Sequence, residues 1–429
     1  MPWSQLVVQP DGCASFCCDV PNPLTVDGRL GTLGRDSLDD LWNSEDLVQT
    51  RAAMVAGERP ASCQVCWDRE ASGSLSRRQL TTEIYRLGGG ELELEMLPLI
   101  GAETGYRLER RPDWFLLELG NVCNLRCRSC DPIFSSRIAG DAIHSAWAAT
   151  PVPPELATLT ALRPEPGAPI SSAWFRNIDA TADMVAGGAT GNAMLSLLGG
   201  EPFLARETWQ LLEALVERGV AGNIMVGFST NGQQRSARLA ELAPHFRSMH
   251  VSVSVDGYGR LYEYLRHGGS WDKLMENLVW LHTLPGVSPL ITPTLQNANA
   301  LDMVALLRFL EQWNLHLNFN VVTWPARLAP SNLPPAVRRR AAARLREFLV
   351  TECSAKNANV VRGYCEILEA APDEFDASLF EEFMTFTNDL DASRGESLAE
   401  AAPELAARIA DAGIPWSPAR RHGLAQTTT

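Results

Sequence analysis

The chain has no apolar run near the roughly 18 residues that a membrane-spanning helix needs. Its start, MPWSQLVVQPDG, has neither the basic cluster nor the long apolar core of a secretion signal. The expectation is a cytoplasmic protein without a membrane partner. Basic charge is also scarce. Lys and Arg number 37 against 51 Asp and Glu, a formal net charge of −14, and the sequence pI is near 5.1. That balance argues against a nucleic-acid partner, which a basic face would attract. Large apolar residues are few in the first 85 positions, so this stretch would struggle to bury a core unaided.

The chain does have cysteines, and they come in clusters. In a reducing compartment, ten clustered cysteines read as metal ligands before disulfides. Cys123, Cys127 and Cys130 stand at C-x3-C-x2-C. A mostly apolar β-type run, Trp114 to Leu119, leads into them, and helix periodicity begins at Ile133. Thiolates hold iron–sulfur clusters, usually four to a cubane. Three on one loop leave one iron open to a small molecule. Three core cysteines would be the bland alternative. Arg126, Arg128, Asn121 and Asn124 are poor core neighbours for it. A structural zinc site would want a fourth ligand nearby, and no His follows within ten residues.

The spacing after a strand resembles the radical SAM family. The resemblance implies a 4Fe–4S cluster whose open iron takes the amino and carboxylate groups of S-adenosylmethionine. It also implies one-electron cleavage to a 5′-deoxyadenosyl radical, which abstracts hydrogen from a substrate. An external reductant such as flavodoxin or ferredoxin goes with that chemistry.

With 429 residues, 45% hydrophobic and 21% charged, the chain is an ordinary globular one of two or three domains. Residues 1–85 read as a small unit. It has a strand at Gln5 to Gln9, a turn at Pro10-Asp11-Gly12, an N-cap at Ser37 and a helix stopping at Gly57. Its cysteines are Cys13, Cys17, Cys18, and the C-x2-C pair Cys63 and Cys66. A zinc bound by four of them remains open as a reading. The pattern PW…PDG…CC…GTLG…SLDDLWNS…R…CQVCWDREASGSLSRR resembles the twitch module, a short form of SPASM. That implies an auxiliary iron–sulfur cluster, a 4Fe–4S cluster by the same analogy, on Cys17, Cys18, Cys63 and Cys66, with Cys13 as an unassigned further ligand.

Residues 86–112 read as a linker, and 113–330 as the catalytic unit. Candidate strands at 114–120, 193–198, 223–229, 249–255, 288–295 and 316–322 alternate with helices at 204–218, 234–244, 270–283 and 300–313. Alternation predicts parallel βα units. The fold class is therefore α/β, a partial (β/α)6 TIM-type barrel with a small N-terminal Fe–S module. A helical C-terminal extension, 331–429, ends in a disordered tail. The Pro-, Ala- and Gly-rich interval 146–190 reads as an insertion.

Functional residues in such folds gather at the C-terminal ends of strands. Gly199-Gly200-Glu201-Pro202 resembles the family's GGEP motif, which implies contact with the amino group of S-adenosylmethionine. Ser229, Thr230 and Asn231 follow the next strand, and their hydroxyls fit the ribose or methionine carboxylate by analogy. Alternation puts His250, Ser252 and Ser254 on one face, and Ser252 and Ser254, small polar residues at a barrel mouth, are expected to bind the cofactor. Asp256-Gly257 and Arg266 resemble the family's SxDG…R pattern, with Arg266 expected on the methionine carboxylate. Thr292, Thr294, Gln296, Asn297, Asn318, Asn320 and Thr323 complete a polar mouth with few charges. Such a mouth suits neutral hydroxyl-rich or amide substrates better than phosphates, and the expected partner is a small-molecule or oligosaccharide substrate. Cys353 and Cys365 read as core residues, or as donors returning hydrogen to a substrate radical.

The expected reaction is epimerisation or dehydrogenation at a sugar or cyclitol carbinol carbon in secondary metabolism. Crosslinking or maturation of a ribosomally made peptide is the alternative, and a non-catalytic metal-binding scaffold a third.

Overall fold

The computed structural model describes residues 2–18, 23–71, 76–87, 101, 103–148, 174–371, 375–414 and 416. The Gly88–Gly90 run with the acidic stretch after it, most of the expected insertion, and the tail lie outside them. Among the described residues, no helix is long and apolar enough to cross a membrane.

Six parallel strands stand side by side in chain order: Trp114–Glu118, Ala193–Leu198, Ile224–Thr230, Ser248–Ser254, Val287–Thr292 and His316–Leu317. From the second onward they are joined through the helices Arg206–Glu217, Ala237–Leu242, Trp271–Thr283 and Met303–Gln312. Burial alternates strictly along Ile224–Thr230 and Ser248–Ser254, the signature of strands with two unlike faces. The outward face is a hydrocarbon layer. Val8, Leu117, Leu197, Phe228 and Val251 lie in register across five strands, and all are buried in the main core. The inward face starts with Trp114, Met194 and Met225, which pack together as a plug at the N-terminal ends. Further along, it turns polar.

The sheet is wider than six strands. Gln5–Val8 adds in parallel to the free edge of Trp114–Glu118, with Gln5 opposite Trp114 and Val8 opposite Leu117. Ala14–Ser15 pairs antiparallel beyond it, so the N-terminal segment supplies two of the eight strands. That segment was expected to stand as a unit of its own. All four residues of Gln5–Val8 are buried, and buried backbone groups need partners that a lone strand lacks. A four-residue run shows a strand but not the edge that receives it.

Arg51 fastens the same segment from beneath. Its buried guanidinium donates to the carbonyls of Pro2 (2.8 Å), Trp42 (2.9 Å) and Tyr106 (3.1 Å) and lies 4.6 Å from the Trp42 ring centroid. Ser37 caps its helix in a reciprocal box with Asp40. Downstream of the sheet the chain is helical, with Pro335–Thr351, Ala358–Ala370 and Ala377–Arg394 as its longest elements.

Candidate active site

The strand Trp114–Glu118 empties into the three-cysteine loop at the C-terminal end of the sheet, where βα architectures carry their chemistry. Gly199 and Gly200 set the entry to that loop. Both have positive φ, +84° and +37°. A Cβ on Gly199 would stand 2.7 Å from Leu119 N, and one on Gly200 would stand 2.4 Å from Val122 O. The two glycines are thus needed for contact with the loop's own backbone. Glu201 N–H donates to Val122 O (2.8 Å), which closes the junction.

The Glu201 carboxylate is buried and accepts from Thr230 Oγ1 (2.7 Å), Asn231 N–H (2.8 Å) and Phe203 N–H (3.1 Å). Burial raises its pKa, and these donors work against that rise. Thr230 and Asn231 therefore serve first to fix this carboxylate. One lone pair on Glu201 Oε2 stays available for a further donor such as an ammonium group.

The sulfurs sit among donors. Cys123 Sγ accepts from Leu125 N–H (3.5 Å) and Asn231 Nδ2 (3.8 Å). Arg266 Nη1 approaches Cys127 Sγ at 3.8 Å. The Cys130 thiol is hydrogen-bonded to Cys127, which favours the thiolate at Cys127 and the protonated form at Cys130. Burial pushes Cys123 up to about 11. Donors aimed at sulfur suit anionic thiolates carrying a cluster, so the residues fit the iron–sulfur group. Among the described residues, no three Cys, His, Asp or Glu side chains converge as a single metal ion requires. A cubane spreads its thiolates over separate irons and does not ask for that convergence.

Arg266 differs from expectation. It belongs to a short strand, Arg266–His267, paired antiparallel with Arg126–Cys127. Its Nη2 holds Asp256 (2.8 Å) while Nη1 faces Cys127. Both Nη groups therefore have neighbours, while the buried Nε–H has no hydrogen-bond partner among the described residues. Spacing alone places Arg266 near the mouth but not against a buried aspartate.

Ser252 and Ser254 do face inward with His250. Ser252 and Thr292 are hydrogen-bonded to each other, and Asn318 Nδ2 donates to both, at 3.0 and 3.2 Å. Asn320 Nδ2 donates to Thr294 Oγ1 (3.1 Å). Ser229 stands opposite Ser252 in register. By contrast, Gln296 and Asn297 are buried, and Asn297 is tied to Arg327 O at 2.7 Å.

One inward residue went unread in the sequence. Glu118 shares the parity of Trp114 and Leu116 and stands opposite Leu198 at the rim. Burial, with Asp11 adding to it, pushes its carboxyl up to about 7. A lone carboxylate in the run WFLLEL was the available signal.

The N-terminal cysteines stand on several elements. Cys63 ends the turn Ala61–Cys63, and Cys66 lies just beyond it on the helix Gln64–Ala71. Burial and the neighbouring Cys66 raise the Cys63 thiol. Cys13 forms a β-bridge with Thr32, and burial and Asp11 push its thiol up to about 12. Cys17 is buried and Cys18 exposed. Glu70 accepts from Ser76 Oγ (2.5 Å) and Arg78 (2.6 Å), so the motif's acidic residue anchors the next helix.

Neither candidate hydrogen donor reaches the loop. Cys353 points to Glu311 Oε1 (3.9 Å), at the end of the helix that feeds the first residue of His316–Leu317. That is the opposite end of the sheet. Cys365 is fully buried in the core.

A parallel βα sheet with three free cysteines on the loop after its first barrel strand is a layout in which an iron–sulfur cluster would sit at the strand ends. Residues 117–310 match the radical SAM superfamily, and residues 1–67 match the SPASM iron–sulfur cluster-binding domain. The chain belongs to the radical SAM superfamily, with a SPASM-like domain at its N-terminus, and its cofactors are 4Fe–4S clusters and S-adenosylmethionine. Among solved structures it is similar to native anSMEcpe with bound AdoMet, at 16% identity, with TM-score 0.39, over 55% of this chain and 60% of that one. Streptococcus suis SuiB bound to precursor peptide SuiA is similar at 15% identity, with TM-score 0.39, over 67% of this chain and 59% of that one. The chain thus spans about 60% of the anSMEcpe chain it matches. No curated protein matches it.

Proposed function

We propose that the chain removes a carbon-bound hydrogen from a hydroxyl-rich small molecule and carries it to a dehydrogenated or epimerised carbinol product. The observation that carries this reading is the inward polar row Ser252, Thr292 and Asn318 with Thr294 and Asn320 beside it. These are uncharged donors and acceptors, matched to hydroxyl groups rather than to phosphates or carboxylates.

When bound, the loop cluster and S-adenosylmethionine supply a 5′-deoxyadenosyl radical that takes the hydrogen, and the N-terminal cluster offers a one-electron sink. Cys123, Cys127 and Cys130 hold the first. Cys63 and Cys66, with Cys17, Cys18 or Cys13, hold the second. Gly199, Gly200 and Pro202 shape the cofactor seat, and Glu201 Oε2 receives the ammonium. Ser229 and Ser254 border the seat. Glu118 lies at the rim on the side of Asp11 and accepts the hydroxyl proton that dehydrogenation releases. A reduced one-electron carrier protein drives the cycle. Dehydrogenation needs no hydrogen donor; epimerisation would need a thiol to return hydrogen to the opposite face, and as they stand Cys353 lies beside Glu311 and Cys365 is sealed in the core.

The test is anaerobic turnover in deuterated solvent with sugars, cyclitols and, separately, short precursor peptides. Loss of two hydrogens from a sugar or cyclitol supports dehydrogenation, and one solvent deuterium at its carbinol carbon supports epimerisation. Turnover only with a peptide would replace this reading by peptide modification.

A further inference from the structure

Both neighbours of the central cysteine are fastened by a part of the chain that the superfamily match does not reach. The match ends at residue 310. Arg128, with a side chain 4% exposed, donates to Asp391 Oδ1 (2.5 Å) and Glu396 Oε2 (2.6 Å) across more than 260 residues of sequence. Its backbone N–H donates to Leu265 O (2.8 Å), and its guanidinium lies 3.7 Å from the Tyr264 ring centroid. Tyr264 OH donates to the same Asp391 oxygen (2.9 Å). On the other side, Arg126 meets His267 Nε2 at 2.7 Å, and His267 Nδ1 meets Glu396 Oε1 at 2.6 Å. Arg394 closes the circuit through Asp141 (3.4 Å), which also accepts from Arg126 (3.4 Å).

We propose that the helix Ala377–Arg394, with Glu396, is a positioning element for the cluster loop: Asp391 and Glu396 press Arg126–Arg128 against Arg266–His267 and so keep the Arg266 guanidinium at Cys127 Sγ. Held there, a cation beside a cluster ligand stabilises the more negative, reduced state and raises the reduction potential. The Arg266–Cys127 approach of 3.8 Å exists because the two short strands pair, and the acidic pair ties one end of that ladder. Arg266 itself cannot drift, since Asp256 holds its other amine at 2.8 Å. Removing partners that orient a metal ligand typically costs 10- to 100-fold in affinity or activity. The inference rests on the loop holding the S-adenosylmethionine-binding cluster.

The experiment uses the full chain, reconstituted anaerobically, as wild type, Glu396→Gln, Asp391→Asn and Glu396→Asp. Iron per chain is counted, and each cluster is followed by EPR during a redox titration, with the N-terminal cluster as internal control. Absence of a loop cluster in the wild type would refute the cluster assignment itself. With that cluster present, Glu396→Gln and Asp391→Asn should lower its potential, so that about tenfold less of it is reduced at a fixed reductant level. The N-terminal signal should stay in place, and Glu396→Asp should recover part of the shift. Selective loss of loop iron would equally support the proposal. An unchanged potential with full iron, or equal loss of iron from both sites, would overturn it and leave the helix as ordinary packing.

Discussion

The two cysteine groups of this chain are built in opposite ways. At the loop, the sulfurs stand where the sheet puts them. Two glycines seat the loop, N–H donors face Cys123 and Cys127, and Arg126 and Arg128 lock it from outside. In the N-terminal segment, Cys63 and Cys66 are neighbours across one turn, while Cys13 sits on a bridge to Thr32 and Cys18 faces solvent. The first site is preorganised by protein contacts. In the second the cysteines stand on several elements, and a metal bound there would supply more of the ordering. A difference of this kind predicts different failures.

The largest expected effect is on the loop. Cys127→Ala should abolish 5′-deoxyadenosine formation and leave about four irons per chain, those of the N-terminal cubane. Unchanged turnover, measured by chromatography of the nucleoside, would break the comparison at its root. Removing the N-terminal cluster should do something else. Cys66→Ala should spare 5′-deoxyadenosine formation but lower the melting temperature of the first 85 residues' packing, read by hydrogen exchange at Leu6 and Trp42.

Next comes the rim carboxylate. Glu118→Gln should slow product formation by roughly 10²- to 10⁴-fold, the usual worth of a general base, while 5′-deoxyadenosine release continues. A carboxyl whose pKa is raised to about 7 is protonated below that pH and accepts a proton only above it. The wild-type product rate should therefore rise as pH climbs through about 7, and the variant should lose that rise. A variant with the wild-type profile would remove Glu118 from the reaction.

A smaller effect is expected where the loop meets the second barrel strand. Gly200→Ala must place a Cβ 2.4 Å from Val122 O at φ +37°. Strain of this kind costs about 1–3 kcal/mol. The loop should shift, and 5′-deoxyadenosine formation should fall about tenfold with the N-terminal iron intact. Full activity would mean that the loop tolerates displacement and is less preorganised than its contacts suggest.

Much of this was legible from residue order. Five of the six strands, the four helices between them, the cysteine loop and the GGEP turn stand within a few residues of where periodicity and spacing put them, and the sixth strand is shorter than expected. Local signals fix such elements because period, caps and turn residues act over three to five positions. What stayed hidden was long-range pairing. Nothing local in QLVV says that it joins the barrel sheet beside Trp114. Nothing near Arg128 names Asp391 as its partner. Arg266 was legible as a mouth residue, but its partner Asp256 was read only as part of a motif. Carboxylate pairing across a fold depends on which surfaces meet, and that is set by packing rather than by spacing.

The smallest effect should come from the two remaining cysteines, and it tests whether every thiol in this chain serves chemistry. Cys365 is fully buried within the main core, and burial pushes its thiol up to about 11. A thiol in that setting packs as a small hydrophobe. Cys365→Ala removes one sulfur's worth of contact and should cost about 1 kcal/mol of stability, visible as a small fall in denaturation midpoint. Cys353→Ala should cost less, because that side chain is only partly buried and its acceptors, Glu311 and the Ser354 carbonyl, remain bonded elsewhere or solvated. In both variants, 5′-deoxyadenosine and product should form at wild-type rates, since Cys353 sits beside the helix that feeds the start of His316–Leu317 and Cys365 is sealed in the core. If either variant made the nucleoside but no product, a thiol would have to travel to the mouth during turnover, and the polar row would then border a hydrogen-return site as well as a binding site.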